Sequence, residues 1–271
     1  MTSKKYIAFL DILGFKDLIE NNKLDDIEKL YDTLQKSVLY SFAISNPEHK
    51  LINKGKVDLP SIKETNLNSL VISDSIIIWT DDDSQGSFFE LILAVKYFMY
   101  FSMQSGFPLR GGISSGELVV KNGRHEKSPK FNSYTTLLGL SLTRAYILES
   151  KSEWSGCIID EKCVEHFTNK LKSYDSNTAN LEFFEEMDII RSYKVPMKSG
   201  PIKKYYTINW THFNGPRLTA SQVRRAFRTH NKSISDWSVE NKIANTLKFL
   251  ADTKKGYKEL AIKLTDRKNA T

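Results

Sequence analysis

YIAFLDILGF, from Tyr6 to Phe15, and LVISDSIIIW, from Leu70 to Trp79, are the two stretches whose reading decides this fold. Each is a strand-length run of apolar β-formers, and each carries one aspartate, Asp11 and Asp74. A carboxylate buried without a partner in such a run loses several kcal/mol of hydration, so each aspartate must meet a cation or a strong donor. Placed side by side, the two carboxylates become hard oxygen ligands of the kind that hold Mg²⁺ or Mn²⁺ for phosphoryl transfer. The plainer reading makes each one the mark of a strand end or a turn, since Ser73-Asp74-Ser75 has turn chemistry.

Outward from these runs the pattern alternates between helical and strand periods. Strand one covers Lys5 to Ile12, and Ile27, Leu30, Leu34 and Val38 fall at helical spacing in a helix from Leu24 to about Phe42. Ser45 to Asn66, with Pro47, Gly55 and Pro60, is a polar loop. The hairpin around Asp74 follows, then a helix from Phe88 to Met103, strands Leu109 to Ser114 and Glu117 to Lys121, and an exposed loop from Asn122 to Asn132. A helix from Leu138 to Leu148 comes next, then a strand at Cys157 to Asp160, a helix to about Leu171, and strands near Leu181 to Phe184, Ile189 to Val195 and Lys203 to Asn209. This is an α+β body with helices on a largely antiparallel sheet.

The charge is placed unevenly. From His212 onward 13 Lys and Arg stand against 5 Asp and Glu, so this segment more than accounts for the net charge of +7 and the body is close to neutral. A boundary near Thr211 to Pro216 divides the chain into residues 1–211, a catalytic body, and residues 212–271, a basic extension with helices at Leu218 to His230 and Val239 to Leu264. Ile243, Leu247 and Leu250 share one helical face there, so the extension packs on the body or on a partner copy. Nucleic acid is an improbable partner for a body with so little charge of its own. No apolar run of about 18 residues occurs and MTSKKYIAF lacks a signal-peptide core, which leads us to expect a cytoplasmic protein without membrane contact. Cys157 and Cys163 lack a metal-ligating cluster around them, and in a reducing compartment they are expected as free thiols.

The order of four further segments carries a resemblance. LRGGISSGELVV at Leu109 to Val120 contains R-x-GI-x-x-G, LGLSLTRAYILES at Leu138 to Ser150 follows G-x-x-x-N-x-A-x-x-x-[DE]-S except at the Asn, and SGCIIDEKCVEHF closes at Phe167. With the two aspartates ahead of them, roughly Lys5 to Trp210 resembles the class III nucleotide cyclase catalytic domain, whose core is ferredoxin-like. The FLDILGF opening and the loose helix motif look most like the pyrimidine (uridylate and cytidylate) cyclases of the Pycsar anti-phage systems.

The resemblance implies a lyase that converts UTP or CTP to cyclic UMP or cyclic CMP and pyrophosphate. It further implies two Mg²⁺ or Mn²⁺ ions per site, held by Asp11, Asp74 and the Ile12 carbonyl, with Gly14 and Phe15 forming the turn that approaches the phosphates. Such domains work as head-to-tail homodimers with sites at the interface, and a cyclic-nucleotide-sensing effector would act downstream. Where the family has its transition-state Asn and Arg, this chain has Thr143 and Ile147, so Arg144, on nearly the same helical face, becomes the candidate guanidinium. Lys198 falls near the family's phosphate-binding lysine. Leu70 stands at the position from which purine cyclases read the base, with Thr136 as its partner position, and an apolar Leu70 fits a smaller pyrimidine pocket. Arg110 is left as a structural or salt-bridging residue. Three other readings stand beside this one: a catalytically silent nucleotide-binding homologue, a purine cyclase, and a nucleic-acid-binding ferredoxin-like sheet, although the first strand lacks the basic and aromatic pattern that the last requires.

Overall fold

The structure, a computed structural model, describes residues 3–45, 65–124, 133–172, 181–213 and 216–269, and for 256–269 only the backbone. The polar loop read at Ser45 to Asn66 and most of the loop read at Asn122 to Asn132 lie outside these residues.

The two apolar runs become neighbours. β1 (Ser3–Ile12) pairs antiparallel with β3 (Ser75–Thr80), Asp11 standing opposite Ser75. On its other side β1 pairs antiparallel with β4 (Leu109–Arg124), where Asp11 stands opposite Arg110. With β2 (Leu67–Ile72) outside β3, and β6 (Cys157–Ile159), β8 (Lys203–Ile208) and β7 (Ile190–Val195) beyond β4, the sheet order is β2-β3-β1-β4-β6-β8-β7. β5 (Ser133–Leu138) pairs with the far end of β4, and the β4–β6 pair alone is parallel among the recorded strand pairs.

Alternation along β1 decides what each face buries. Tyr6, Ala8, Leu10 and Ile12 point into the main core beneath α2 (Leu24–Ser45) and α3 (Gln85–Gln104). α3 starts at Ser84, whose side chain accepts from the Ser87 amide, and then reads as an almost unbroken buried run. Ile7, with Ile77, Trp79, Leu118 and Ala145, forms a smaller cluster on the opposite face beneath α4 (Leu140–Lys151). α4 can lie so close because position 112 is glycine: a Cβ there would come within 2.4 Å of the Ala145 carbonyl oxygen.

Elsewhere the structure differs from the sequence reading in particular places. Leu181 to Phe184 is not a strand but the start of α6 (Leu181–Glu186), in which Phe184 is buried against Phe88 and Phe167. Leu109 to Lys121 lies in one strand rather than two, because Gly116 (φ +141°) keeps its place in the ladder opposite Lys5 instead of turning the chain. Leu138 closes β5 and helix α4 begins after Gly139, where a Cβ would meet the Glu117 carbonyl at 2.3 Å. A short helix, α1 (Phe15–Glu20), follows the Gly14 turn. α5 (Glu161–Lys172), α7 (Ala220–Arg228) and α8 (Trp237–Asn269) fall where helices are expected. Leu218, Val223, Ala226, Phe227, Ile243, Phe249 and Leu250 belong to the same hydrophobic cluster as β1 and α3, so the C-terminal helices pack on the body. No helix among the described residues is long and apolar enough to cross a membrane.

Candidate active site

Asp11 ends β1 and Asp74 sits in the tight β2–β3 turn, where Ser73 takes a left-handed φ of 54°. The turn is fixed to β1 because the Ile12 amide donates to the Asp74 carbonyl at 2.9 Å. This register brings the two carboxyl groups close enough for Asp74 to raise the Asp11 carboxyl. The strand run and the turn residue therefore share one site, a union of the two readings that the sequence left open.

Arg110, which the sequence reading left without a catalytic role, is the hub of that site. Its Nη2 donates to Asp11 Oδ2 at 3.2 Å, its Nε to Glu149 on α4, and its Nη1 to the Ser152 carbonyl at 3.3 Å. Glu149 is buried and Arg110 nearly so, whereas the Asp11 side chain keeps 18% of its exposure. Desolvation and the Glu149 charge push Asp11 up to about 7, against the pull of Arg110, and Asp74 adds to the rise. Burial likewise raises Glu149, opposed by Arg110 and Lys198. Arg110 thus pairs with Asp11 and Glu149 while Asp74 acts on both carboxyls, so carboxylates outnumber the buried guanidinium among them.

The other expected residues are distributed as follows. Gly14 is left-handed (φ 77°) and caps α1, its carbonyl accepting from the Leu18 amide at 3.1 Å. Phe15 packs edge-on to Tyr31, beside the turn. Lys198 is exposed, near enough to Glu149 and Arg110 to act on their charges, and its amide donates to the Lys151 carbonyl at 2.8 Å. Thr143 is an exposed residue of α4 whose amide donates to the Gly139 carbonyl. Leu70 packs against the smaller apolar cluster together with Leu137, and alternation along β5 turns Thr136 away from that face.

Arg144 does not join Asp11 and Asp74 within one chain. Its Nε lies 3.1 Å from Ser114 Oγ and 3.1 Å from Asp160 Oδ2, and its Nη2 donates to the Ser115 carbonyl. Ser114 lies four residues along β4 from Arg110, about 13 Å at roughly 3.3 Å per residue. The sequence reading missed Glu149 and Asp160; Glu149 had a signal, as the acidic residue of the helix motif that ends in Ser150.

Two carboxylates with a neighbouring backbone carbonyl suit a hard cation that completes its shell with water and phosphate oxygens, as Mg²⁺ does. Among the described residues no group of three or more His, Cys, Asp or Glu is placed to hold a metal ion.

No protein-family profile and no curated protein matches this sequence. Solved structures do. A bacterial light-regulated adenylyl cyclase aligns at 13% identity with a TM-score of 0.50, over 85% of this chain and 57% of that one. The guanylate cyclase domain of RhGC from Catenaria anguillulae, in complex with GTP, aligns at 12% identity and a TM-score of 0.49, over 77% of this chain and 98% of that one. The adenylyl cyclase CyaB from P. aeruginosa aligns at 16% identity and 0.47, over 77% and 94%. The likeness to the light-regulated enzyme is one of fold: the chain has the fold of class III nucleotide cyclase catalytic domains.

Proposed function

We propose that this protein is a metal-dependent nucleotide cyclase that converts UTP or CTP to the 3′,5′-cyclic monophosphate and pyrophosphate, as the signal-generating enzyme of an anti-phage system. The observation that carries the reading is the surplus of carboxylate at Asp11, Asp74 and Glu149, with Arg110 as the one buried cation among them. Two divalent ions bound there would neutralise the triphosphate and lower the barrier to removing the ribose 3′-hydroxyl proton. Asp11 and Asp74 would be their side-chain ligands and the Ile12 carbonyl a third oxygen. Arg110 holds Asp11 in place through the Glu149 pair, so the ligand is preorganised before substrate arrives. The Gly14 turn lets the nucleotide approach the backbone closely.

A homodimer completes this reading. Arg144 pairs with Ser114, four residues and about 13 Å along β4 from the Arg110 that faces Asp11, so it would serve the site of a second copy, with Asp160 and Ser114 presetting its planar fork. Leu138, Leu140, Tyr146 and Ile147 are exposed around α4, an apolar surface that a two-fold partner would cover. Leu70 offers no hydrogen bond to a purine edge, which supports a pyrimidine. A downstream effector would read the cyclic product.

The test is incubation of purified protein with each of the four nucleoside triphosphates and Mn²⁺, with mass spectrometry of the products. Cyclic UMP or cyclic CMP is expected, and a kcat/KM for ATP at or above both pyrimidines would overturn the substrate assignment. Mixing Asp74→Asn chains with Arg144→Ala chains should restore partial activity through composite sites; a heterodimer without recovery would place both groups in one chain. The absence of any cyclic product would favour the silent homologue, a reading supported by Arg144 being paired within its own chain.

A further inference from the structure

The segment between α7 and α8 reaches across the body to the turn that follows Asp11. Lys232 is buried, and its aliphatic chain lies over Gly14: a Cβ placed at position 14 would come within 2.9 Å of the lysine Cδ. Its Nζ donates to the Gly106 carbonyl at 2.6 Å. Gly14 ends the turn after β1, and Gly106 belongs to the turn that leads into β4. One side chain therefore bridges the two turns whose strands deliver Asp11 and its partner Arg110. The Leu13 amide, donating to the Pro108 carbonyl at 2.9 Å, is a second link between the same two turns.

The residues around Lys232 are held just as closely. Asn21 Nδ2 donates to the Asn231 carbonyl at 3.0 Å, Asn22 Nδ2 to the His230 carbonyl at 2.9 Å, and the Ser233 amide to Asp17 Oδ2 at 2.9 Å. All three partners are on α1 or immediately after it. His230 lies 2.7 Å from the Ser105 carbonyl and packs on Phe107, and Gly106 has no room for a Cβ because Thr229 and His230 fill that space. His230 and Asn231 both take left-handed φ values, 65° and 58°. Such a conformation persists only where its surroundings over-determine it.

We propose that Lys232 is a positioning residue for the metal turn: from the C-terminal extension it locks Ile12–Leu13–Gly14 against the entrance to β4 and so sets the spacing of Asp11, Arg110 and Asp74. The inference rests on the reading of Asp11 and Asp74 as metal ligands. A buried amine serving only packing would affect stability and leave the metal affinity of the folded protein unchanged, which separates the two roles.

The experiment measures Mn²⁺ binding to the full chain by electron paramagnetic resonance of the free ion, for the parent, Lys232→Met and Asn22→Ala, each checked for folding by circular dichroism. Lys232→Met keeps the packing over Gly14 and removes the bond to Gly106, and its Mn²⁺ dissociation constant should rise about tenfold. Asn22→Ala loosens the same segment from a half-buried position and should raise it by a smaller factor, which keeps the test decisive if the lysine variant fails to fold. Unchanged Mn²⁺ affinity in the folded variants would overturn the positioning role while leaving the metal pair intact. A parent chain whose Mn²⁺ binding is absent, or is insensitive to Asp11→Asn, would overturn the metal reading and this inference together.

Discussion

Among the described residues, the buried ionic clusters around Arg110 and around Asp188 are built with opposite imbalance. At the end of β1 Asp11 and Glu149 pair with Arg110, and Asp74 adds a third carboxylate beside Asp11. Under α3 one carboxylate, Asp188, is ringed by basic side chains: Arg217 at 2.5 Å, Arg191 at 3.1 Å, His212 at 3.2 Å, and Lys96, which donates to the Asp188 and Asn209 carbonyls. Burial opposes the Asp188 charge, yet His212, Arg191 and Arg217 outweigh it and hold the carboxyl well below its usual range. Asp11, with mostly like charge around it, is pushed in the other direction. The Asp188 cluster is closed, since it stitches the residues after β8 to α3 and leaves its anion fully satisfied. The Asp11 cluster is open, because its negative charge exceeds what the protein supplies, and an open site is where a cation and a polyanionic substrate belong.

The contrast can be broken most decisively at Asp74. Asp74→Asn removes one of the surplus carboxylates, so turnover of nucleoside triphosphate should fall by about 10³-fold or more while the thermal midpoint stays level or rises. A variant that unfolds instead would show that the surplus is structural. Removing the lone counter-charge of either cluster should do the reverse. Asp188→Asn and Arg110→Met each leave buried like charges without compensation, and each should cost about 3 to 5 kcal/mol in denaturant unfolding. A loss below about 1 kcal/mol at either position would mean that water already screens that cluster.

A member of the cationic majority should matter least. Lys96→Met replaces a buried amine with an apolar chain of similar length, and its stability at pH 7 should lie within about 1 kcal/mol of the parent. The pH dependence is the sharper readout. Burial lowers Lys96 to about 7, with Asp188 pulling the other way, and it lowers Lys232 to about 7 as well. Unfolded lysines hold their protons to about 10.5, so above pH 7 the unfolded chain binds more protons than the folded one and stability rises with pH. Above about 9 the buried thiols of Cys157 and Cys163, raised by desolvation from 9.0, act in the opposite sense. The thermal midpoint should therefore climb between pH 7 and 9, and Lys96→Met should remove about half of the slope. A flat profile in the parent would show that both amines stay protonated in the folded state.

Some of this was written in the chain as local pattern. Apolar strand runs around Asp11 and Asp74, helical spacing in α2 and the unbroken apolar stretch of α3 all follow from side-chain period and hydrophobicity, which are local properties. So was the acidic residue of the α4 motif, Glu149. Leu181 to Phe184 misled because four residues are too short to show a period of their own; in the structure they open a helix whose Phe184 packs against Phe88 and Phe167. Gly116 misled because a glycine can bend a strand as readily as it can turn one.

The sequence by itself determined that two strand-borne carboxylates, a motif-bearing helix and a basic C-terminal extension were present. Tertiary structure alone decided that Asp11 faces Arg110 across β1 and β4, that Glu149 descends from α4 to the same guanidinium, and that Lys232 arrives from more than two hundred residues away to lie over Gly14. The physical reason is that charge balance and steric closure are pairwise quantities. Each depends on which distant groups the sheet register and the glycine-permitted helix contacts bring within a few ångströms, and no local pattern in the chain records that meeting.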